Sequence, residues 1–161
     1  MKIIKGHILL LGENVDTDQI LPGYAMAEPF EQLGKFAMAG RPDLVSRISP
    51  GVILVAGHNF GCGSSREQAP IALKIAGVGL VVAVNFARIF RRNAINIGLP
   101  VFAADITSLV RDNDVVEVDL VNGLIKCGDK IINAEPLSAS VLKTLEYGGL
   151  IPQVRAELNL A

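Results

Sequence analysis

The chain has 161 residues, half of them hydrophobic, and a formal net charge of −1. That length fits one domain spanning 1–161, with enough apolar material for a sizeable core. The balanced charge, with no basic run, argues against a nucleic-acid surface, so any anion site must be local.

The start, Met1-Lys2-Ile3-Ile4-Lys5-Gly6, lacks the long apolar core and cleavage site of a signal peptide, and no apolar run reaches spanning length. The expected compartment is the cytoplasm. Weak alternation over 2–11, rich in Ile and Leu, predicts a strand leading into the turn Gly12-Glu13-Asn14. Signals over 23–51 are mixed: 29–39 reads as a short helix bounded by Gly40 and Pro42, and 40–51 as a loop within one domain. The apolar runs 52–56 and 79–84, with helical 71–76 between them, predict buried parallel strands joined by a crossover helix. A helix over 87–97, a short strand at 101–102 and a helical turn or short helix over 106–110 follow. Beyond Asn113 the pattern becomes a hairpin, because 115–120 alternates and Asn122-Gly123 precedes 124–127. Gly128-Asp129 introduces one more apolar run, 130–132, and a helix is predicted over 138–147. The class is α/β, with no internal repeat. Cys62 and Cys127 match no metal-ligand spacing and read as free thiols.

The densest chemistry lies in Gly57-His58-Asn59-Phe60-Gly61-Cys62-Gly63-Ser64-Ser65-Arg66-Glu67-Gln68-Ala69-Pro70, directly after the run 52–56. Its three leading glycines allow a sharp turn and close approach to a ligand, and Ser64 with Glu67 has capping-box spacing. Unpaired N–H groups and the positive end of a helix dipole favour a carboxylate or phosphate, and Arg66 adds a planar cationic fork. The P-loop lysine is missing, as is the third glycine of a dinucleotide fingerprint. Gly-x-Ser-x-Gly is also absent, so only His58 keeps a serine-hydrolase reading open.

Taken whole, Gly61-Cys62-Gly63-Ser64-Ser65-Arg66-Glu67 resembles the motif of the swivelling domain in the aconitase superfamily, particularly the small subunits of isopropylmalate isomerase and homoaconitase. Asp16-Thr17-Asp18-Gln19-Ile20-Leu21-Pro22 is similar to that family's N-terminal Asp-Thr-Asp motif. Asn85-Phe86-Ala87-Arg88-Ile89-Phe90 is similar to its Ser/Asn-Phe-Ala-Arg-Ile segment, and Gly148-Gly149-Leu150 extends the likeness over nearly the whole chain. The resemblance implies a three-layer β/β/α swivelling domain. It also implies a hydro-lyase that moves a hydroxyl to the adjacent carbon of a hydroxy-acid by dehydration and rehydration.

By the same resemblance, Ser64 is the base that takes and returns the proton, Ser65 hydrogen-bonds substrate, Arg66 clamps a carboxylate, and Asp18 orients the arginine. Plainer explanations stand beside these: Ser64 as a helix cap, Arg66 as a surface charge and Asp18 as a turn former, a role that Asp16 takes in any case. If Ser64 caps the helix, Pro70 falls inside it and deletes a backbone bond to Arg66. A tight turn from Ser64, with the helix starting near Pro70, avoids this. His58 reads as peripheral. Gln68 stands where relatives often carry histidine, Arg88 has a family match, and Arg91 and Arg92 read as solvated charges.

Two isolated cysteines cannot supply the ligands of a [4Fe–4S] cluster, which the family carries on a separate large subunit. The chain is therefore expected to bind no cofactor and to need that partner for activity, with a homo-oligomer as an alternative state of the isolated chain. In the family, the loop after the Asp-Thr-Asp motif shapes the substrate pocket; here that is Gly23-Tyr24-Ala25-Met26-Ala27-Glu28-Pro29. Tyr24, Ala25 and Met26 are expected to surround a short aliphatic group, and the loop has no arginine for an extra carboxylate. This favours 3-isopropylmalate, a step of leucine synthesis, over homoaconitate, with dimethylmalate and methylmalate as further alternatives. A non-catalytic ligand-binding domain that reuses the fold is the reading from another class.

Overall fold

The computed structural model describes residues 3–159. Seven strands form one sheet: β1 (Ile3–Leu10), β2 (Ile53–Ala56), β3 (Leu80–Ala83), β4 (Val101–Ala103), β5 (Val115–Asp119), β6 (Leu124–Cys127) and β7 (Lys130–Asn133), in the order β4-β3-β2-β1-β5-β6-β7. Strand β1 joins two kinds of pairing. Its first part, Ile3 to His7, pairs antiparallel with β5, while Ile8 to Leu10 pairs parallel with β2. Gly6 lies beside the changeover, where any Cβ would collide with the Gly51 carbonyl.

Both faces of β2 and β3 are buried, which is why these strands read as unbroken apolar runs rather than alternating ones. Leu54, Ala56, Val81 and Ala83 face the crossover helices α3 (Gln68–Ile75) and α4 (Arg88–Asn96), packing with Ala72, Leu73, Ala94 and Ile95. On the other face, Ile53, Val55, Leu80, Val82 and Phe102 share a second cluster with Val116, Val118 and Ile125 of β5 and β6. The sheet thus curls so that its antiparallel part covers the parallel part, giving helices, parallel strands and antiparallel strands as three layers.

The predicted strands and crossover helices are present, with β1 observed from Ile3 because Lys2 lies outside the described residues. Residues 106–110 form a turn closed by Leu109 N–H to the Ile106 carbonyl, one of the two forms expected there, with Ile106 and Val110 turned into the second cluster. The differences elsewhere are local. The 29–39 region is a 3-10 helix, Phe30–Phe36, and another, Gly23–Ala27, precedes it. Short helices α1 (Thr17–Ile20) and α2 (Pro42–Val45) were not foreseen, since four residues carry no periodic signal. Ser138 caps α5 (Ala139–Glu146) by accepting a bond from Val141 N–H, and the last helix, α6 (Leu150–Glu157), was also missed. No helix among the described residues is long and apolar enough to cross a membrane.

Candidate functional site

The loops that follow β1, β2 and β3 meet at the carboxyl ends of these parallel strands, the usual place for ligands in α/β sheets. Main-chain bonds fasten the first two together: Asn14 N–H to the His58 carbonyl at 2.8 Å, Gly61 N–H to Val15 at 2.7 Å, and Thr17 N–H to Cys62 at 2.8 Å. The third is tied in by Phe60 N–H to Asn85 O (3.2 Å) and Ala87 N–H to Phe60 O (2.9 Å). Beneath them, Phe60, Phe86 and Phe90 pack with ring centroids 5.2 to 6.5 Å apart. Gly61, at φ 83°, passes directly over the Phe90 ring, leaving no room for a side chain.

Helix α1 presents the Asp-Thr-Asp motif to this loop. Asp16 caps it, accepting from Gln19 N–H at 2.8 Å, which is the turn-forming role expected of it. Thr17 then faces inward and is only 2% exposed, with its Oγ1 3.1 Å from Ser64 Oγ and 3.2 Å from the Ser64 amide nitrogen. Asp18 faces outward, and its Oδ1 lies 2.6 Å from Arg66 Nη1. That same guanidinium nitrogen donates to the Leu21 carbonyl at 3.0 Å, so Arg66 is anchored at both ends of α1's exit and is no free surface charge.

Ser64 does not cap a helix. Helix α3 begins at Gln68 with Glu67 at the cap position and no side-chain cap bond, so the capping-box spacing is unused. Pro70 falls in the first helical turn, where an N–H would lack an intrahelical partner anyway. Ser64 and Ser65 are exposed and open onto a depression of about 530 Å³, whose wall includes Met26, Arg66, Ile89 and Arg92. A smaller hollow of about 320 Å³ shares Ser64, Ser65 and Ile89 with it and is also lined by Arg88.

The loop after the Asp-Thr-Asp motif places its three expected pocket residues differently from one another. Ala25 is fully buried in the core, because the 3-10 turn Gly23–Ala27 rotates it inward. Tyr24 is 70% exposed and packs edge-on against Phe36, with centroids 6.1 Å apart, and is not part of the depression's lining. Of the three, Met26 alone lines the depression. Arg92, read from sequence as a solvated charge, is exposed as expected and also stands on the same wall, where it supplies a second guanidinium. Its place on α4 relative to a loop some 27 residues earlier gave no sequence signal. Thr17 was equally missed, although a hydroxyl between two acids was the available hint.

His58 is peripheral. Glu13 accepts from the His58 backbone N–H and lies 3.0 Å from its Nδ1, and these bonds, the backbone one foremost, hold the Glu13 carboxyl below its ordinary range. Cys62 serves through its carbonyl, which receives Thr17 N–H. Cys127 is remote from the loop, and burial, then the Asp114 carboxylate, push its thiol up. These two cysteines are free, and no group of three or more His, Cys, Asp or Glu among the described residues could hold a metal ion. The donor set of this chain therefore does not fit an iron–sulfur cluster.

Comparison with known proteins gives the geometry its context. The model of the aconitase C-terminal domain matches residues 40–104, which include Ser64 to Arg66. The chain is 45% identical to the 3-isopropylmalate dehydratase small subunit of Halothermothrix orenii over 98% of its own length and 99% of the relative's. It is 45% identical to the isopropylmalate/citramalate isomerase small subunit of Methanocaldococcus jannaschii, covering 97% and 96% of the two chains. Its identity to the methanogen homoaconitase small subunit of Methanothermobacter thermautotrophicus is 48%, over 92% and 89%. Among solved structures, 3-isopropylmalate dehydratase from Methanocaldococcus jannaschii superposes with a TM-score of 0.90 at 40% identity, covering 98% of this chain and 96% of that one.

Proposed function

Because the chain belongs to the aconitase superfamily, in the group of 3-isopropylmalate dehydratase and homoaconitase small subunits, we propose that it is the small subunit of a 3-isopropylmalate dehydratase. It supplies the substrate-holding half of a hydro-lyase site that closes against a larger, cluster-bearing subunit. The observation that carries this reading is the joint placement of Ser64 on Thr17 and of Arg66 on Asp18 at the edge of one depression.

In this reading Arg66 receives one substrate carboxylate through its two-pronged fork, which Asp18 and the Leu21 carbonyl hold in place. Ser64 takes the proton from the carbon beside a carboxylate in the dehydration step and returns it in the rehydration step. Ser65 donates to substrate from the same turn. Removing that proton places negative charge next to a group already charged, so fixed cations and preoriented donors lower the barrier more than a strong base alone. The Lewis-acid work belongs to the cluster of the partner subunit.

Met26 and Ile89 offer an apolar surface to an isopropyl group. Arg92 favours a second reading, a homoaconitate-type triacid, because it places another guanidinium on the same wall. Co-expression with the large subunit and assay against isopropylmalate, citramalate, dimethylmalate and homoaconitate decides between them. The isolated chain is expected to be colourless and inactive, and the assembled enzyme to prefer isopropylmalate. Iron-free hydro-lyase activity from this chain alone would falsify the split-enzyme reading.

A further inference from the structure

The Ser64 amide can only donate, so at 3.2 Å Thr17 Oγ1 is its acceptor. A threonine hydroxyl has one proton and two lone pairs, and the amide occupies one lone pair. The proton still needs an acceptor, because the side chain is only 2% exposed. Among the described residues the acceptor it meets is Ser64 Oγ, at 3.1 Å. Ser64 therefore receives a bond from Thr17 and is free to aim its own proton into the depression. We propose that Thr17 is the positioning residue of Ser64, donating a hydrogen bond that favours the oxyanion form of the base; this rests on the assignment of Ser64 as the proton-transfer group.

The physical reason is that a donor aimed at an oxygen stabilises its charged form more than its neutral form. Serine needs this help, since an ordinary hydroxyl is a negligible base at neutral pH. The donor is held rigidly. Thr17 is tied by its own N–H to Cys62 O and by its carbonyl to Leu21 N–H, each at 2.8 Å. Gly63, at φ 103°, lets the serine loop come so close that a Cβ there would stand 3.1 Å from Thr17 Oγ1.

The test uses the assembled enzyme carrying Thr17→Val, Thr17→Ser or Ser64→Ala. Loss of one charge-assisted bond in Thr17→Val is expected to lower kcat at least about tenfold, with KM changed less than about threefold. Thr17→Ser, which keeps the donor and loses only the methyl group, should restore most of the rate. A deficit that Thr17→Ser fails to repair overturns the inference, because misplacement or lost methyl packing would produce it. Should Thr17→Val not fold, NMR of the wild-type chain decides: a slowly exchanging Thr17 hydroxyl proton in contact with the Ser64 β-protons is expected, and a Ser64 hydroxyl donating to Thr17 overturns it. A dead Ser64→Ala beside an unimpaired Thr17→Val removes this inference alone, whereas an active Ser64→Ala removes the assignment beneath it as well.

Discussion

Arg66 Nη1 sits 2.6 Å from Asp18 Oδ1, yet the arginine side chain is 23% exposed and the aspartate 72%. An ion pair so open to water contributes little to stability. Its effect lies in direction: Asp18 and the Leu21 carbonyl share one nitrogen of the guanidinium and fix the side chain at the wall of the depression, beside Ser65.

Replacing Arg66 by Lys should therefore separate charge from geometry. The cation survives, but a carboxylate loses its two-pronged partner, so KM should rise about tenfold and kcat should fall as well if the grip tightens in the transition state. Thermal stability should change by less than about 1 kcal/mol. A normal KM in the assembled enzyme removes Arg66 from substrate binding.

Gly61 and Gly51 make a matched pair for measuring crowding. Both take positive φ, 83° and 88°, but a Cβ on Gly61 runs into the Phe90 ring whereas one on Gly51 meets nothing within 4 Å. Gly51→Ala should cost about 1–2 kcal/mol, the strain of the left-handed region alone. Gly61→Ala should cost about 2–5 kcal/mol, since overpacking against Phe90 adds to that strain. Equal midpoints in denaturant titrations of the two variants would mean that the Phe60, Phe86 and Phe90 cluster yields easily.

Glu13 makes the loop's outer end sensitive to acid. Its folded pKa lies below the ordinary 4.5, so its contribution is complete above that value and is lost as pH falls through the folded pKa. Wild type should be more stable than Glu13→Gln at neutral pH, with the difference vanishing in acid. Because the leading cause is the His58 backbone N–H, His58→Ala should keep most of the depression. A Glu13 carboxyl that titrates normally by NMR in His58→Ala contradicts that ordering.

Substrate choice should respond to Met26 and not to its neighbour. Met26→Arg puts a cation at the depression's wall, and the ratio of kcat/KM for homoaconitate over isopropylmalate should rise about tenfold or more. Ala25→Arg instead forces a charge into the core, so it should unfold the chain rather than change its preference. An assembled, active Met26→Arg enzyme with an unaltered ratio shows that this wall does not select the substrate.

The crossover units, the β5–β6 hairpin and the Ser64-Ser65-Arg66 turn were legible in the chain because each depends on neighbours in sequence. Apolar runs, Asn122-Gly123 and the clustered glycines declare local conformation through backbone freedom and burial. The loop's family likeness was legible for the same reason, as a contiguous string. What the chain alone did not disclose is how positions 45 and more residues apart meet. Thr17 reaches Ser64, and Arg92 joins Met26 on one wall, only after parallel pairing aligns the ends of β1, β2 and β3. Ala25 and Met26 look interchangeable as small and medium apolar residues, yet one 3-10 turn buries the first and presents the second. Facing is set by rotation about the local axis and by what packs beneath it, and both are decided by the assembled core rather than by residue type.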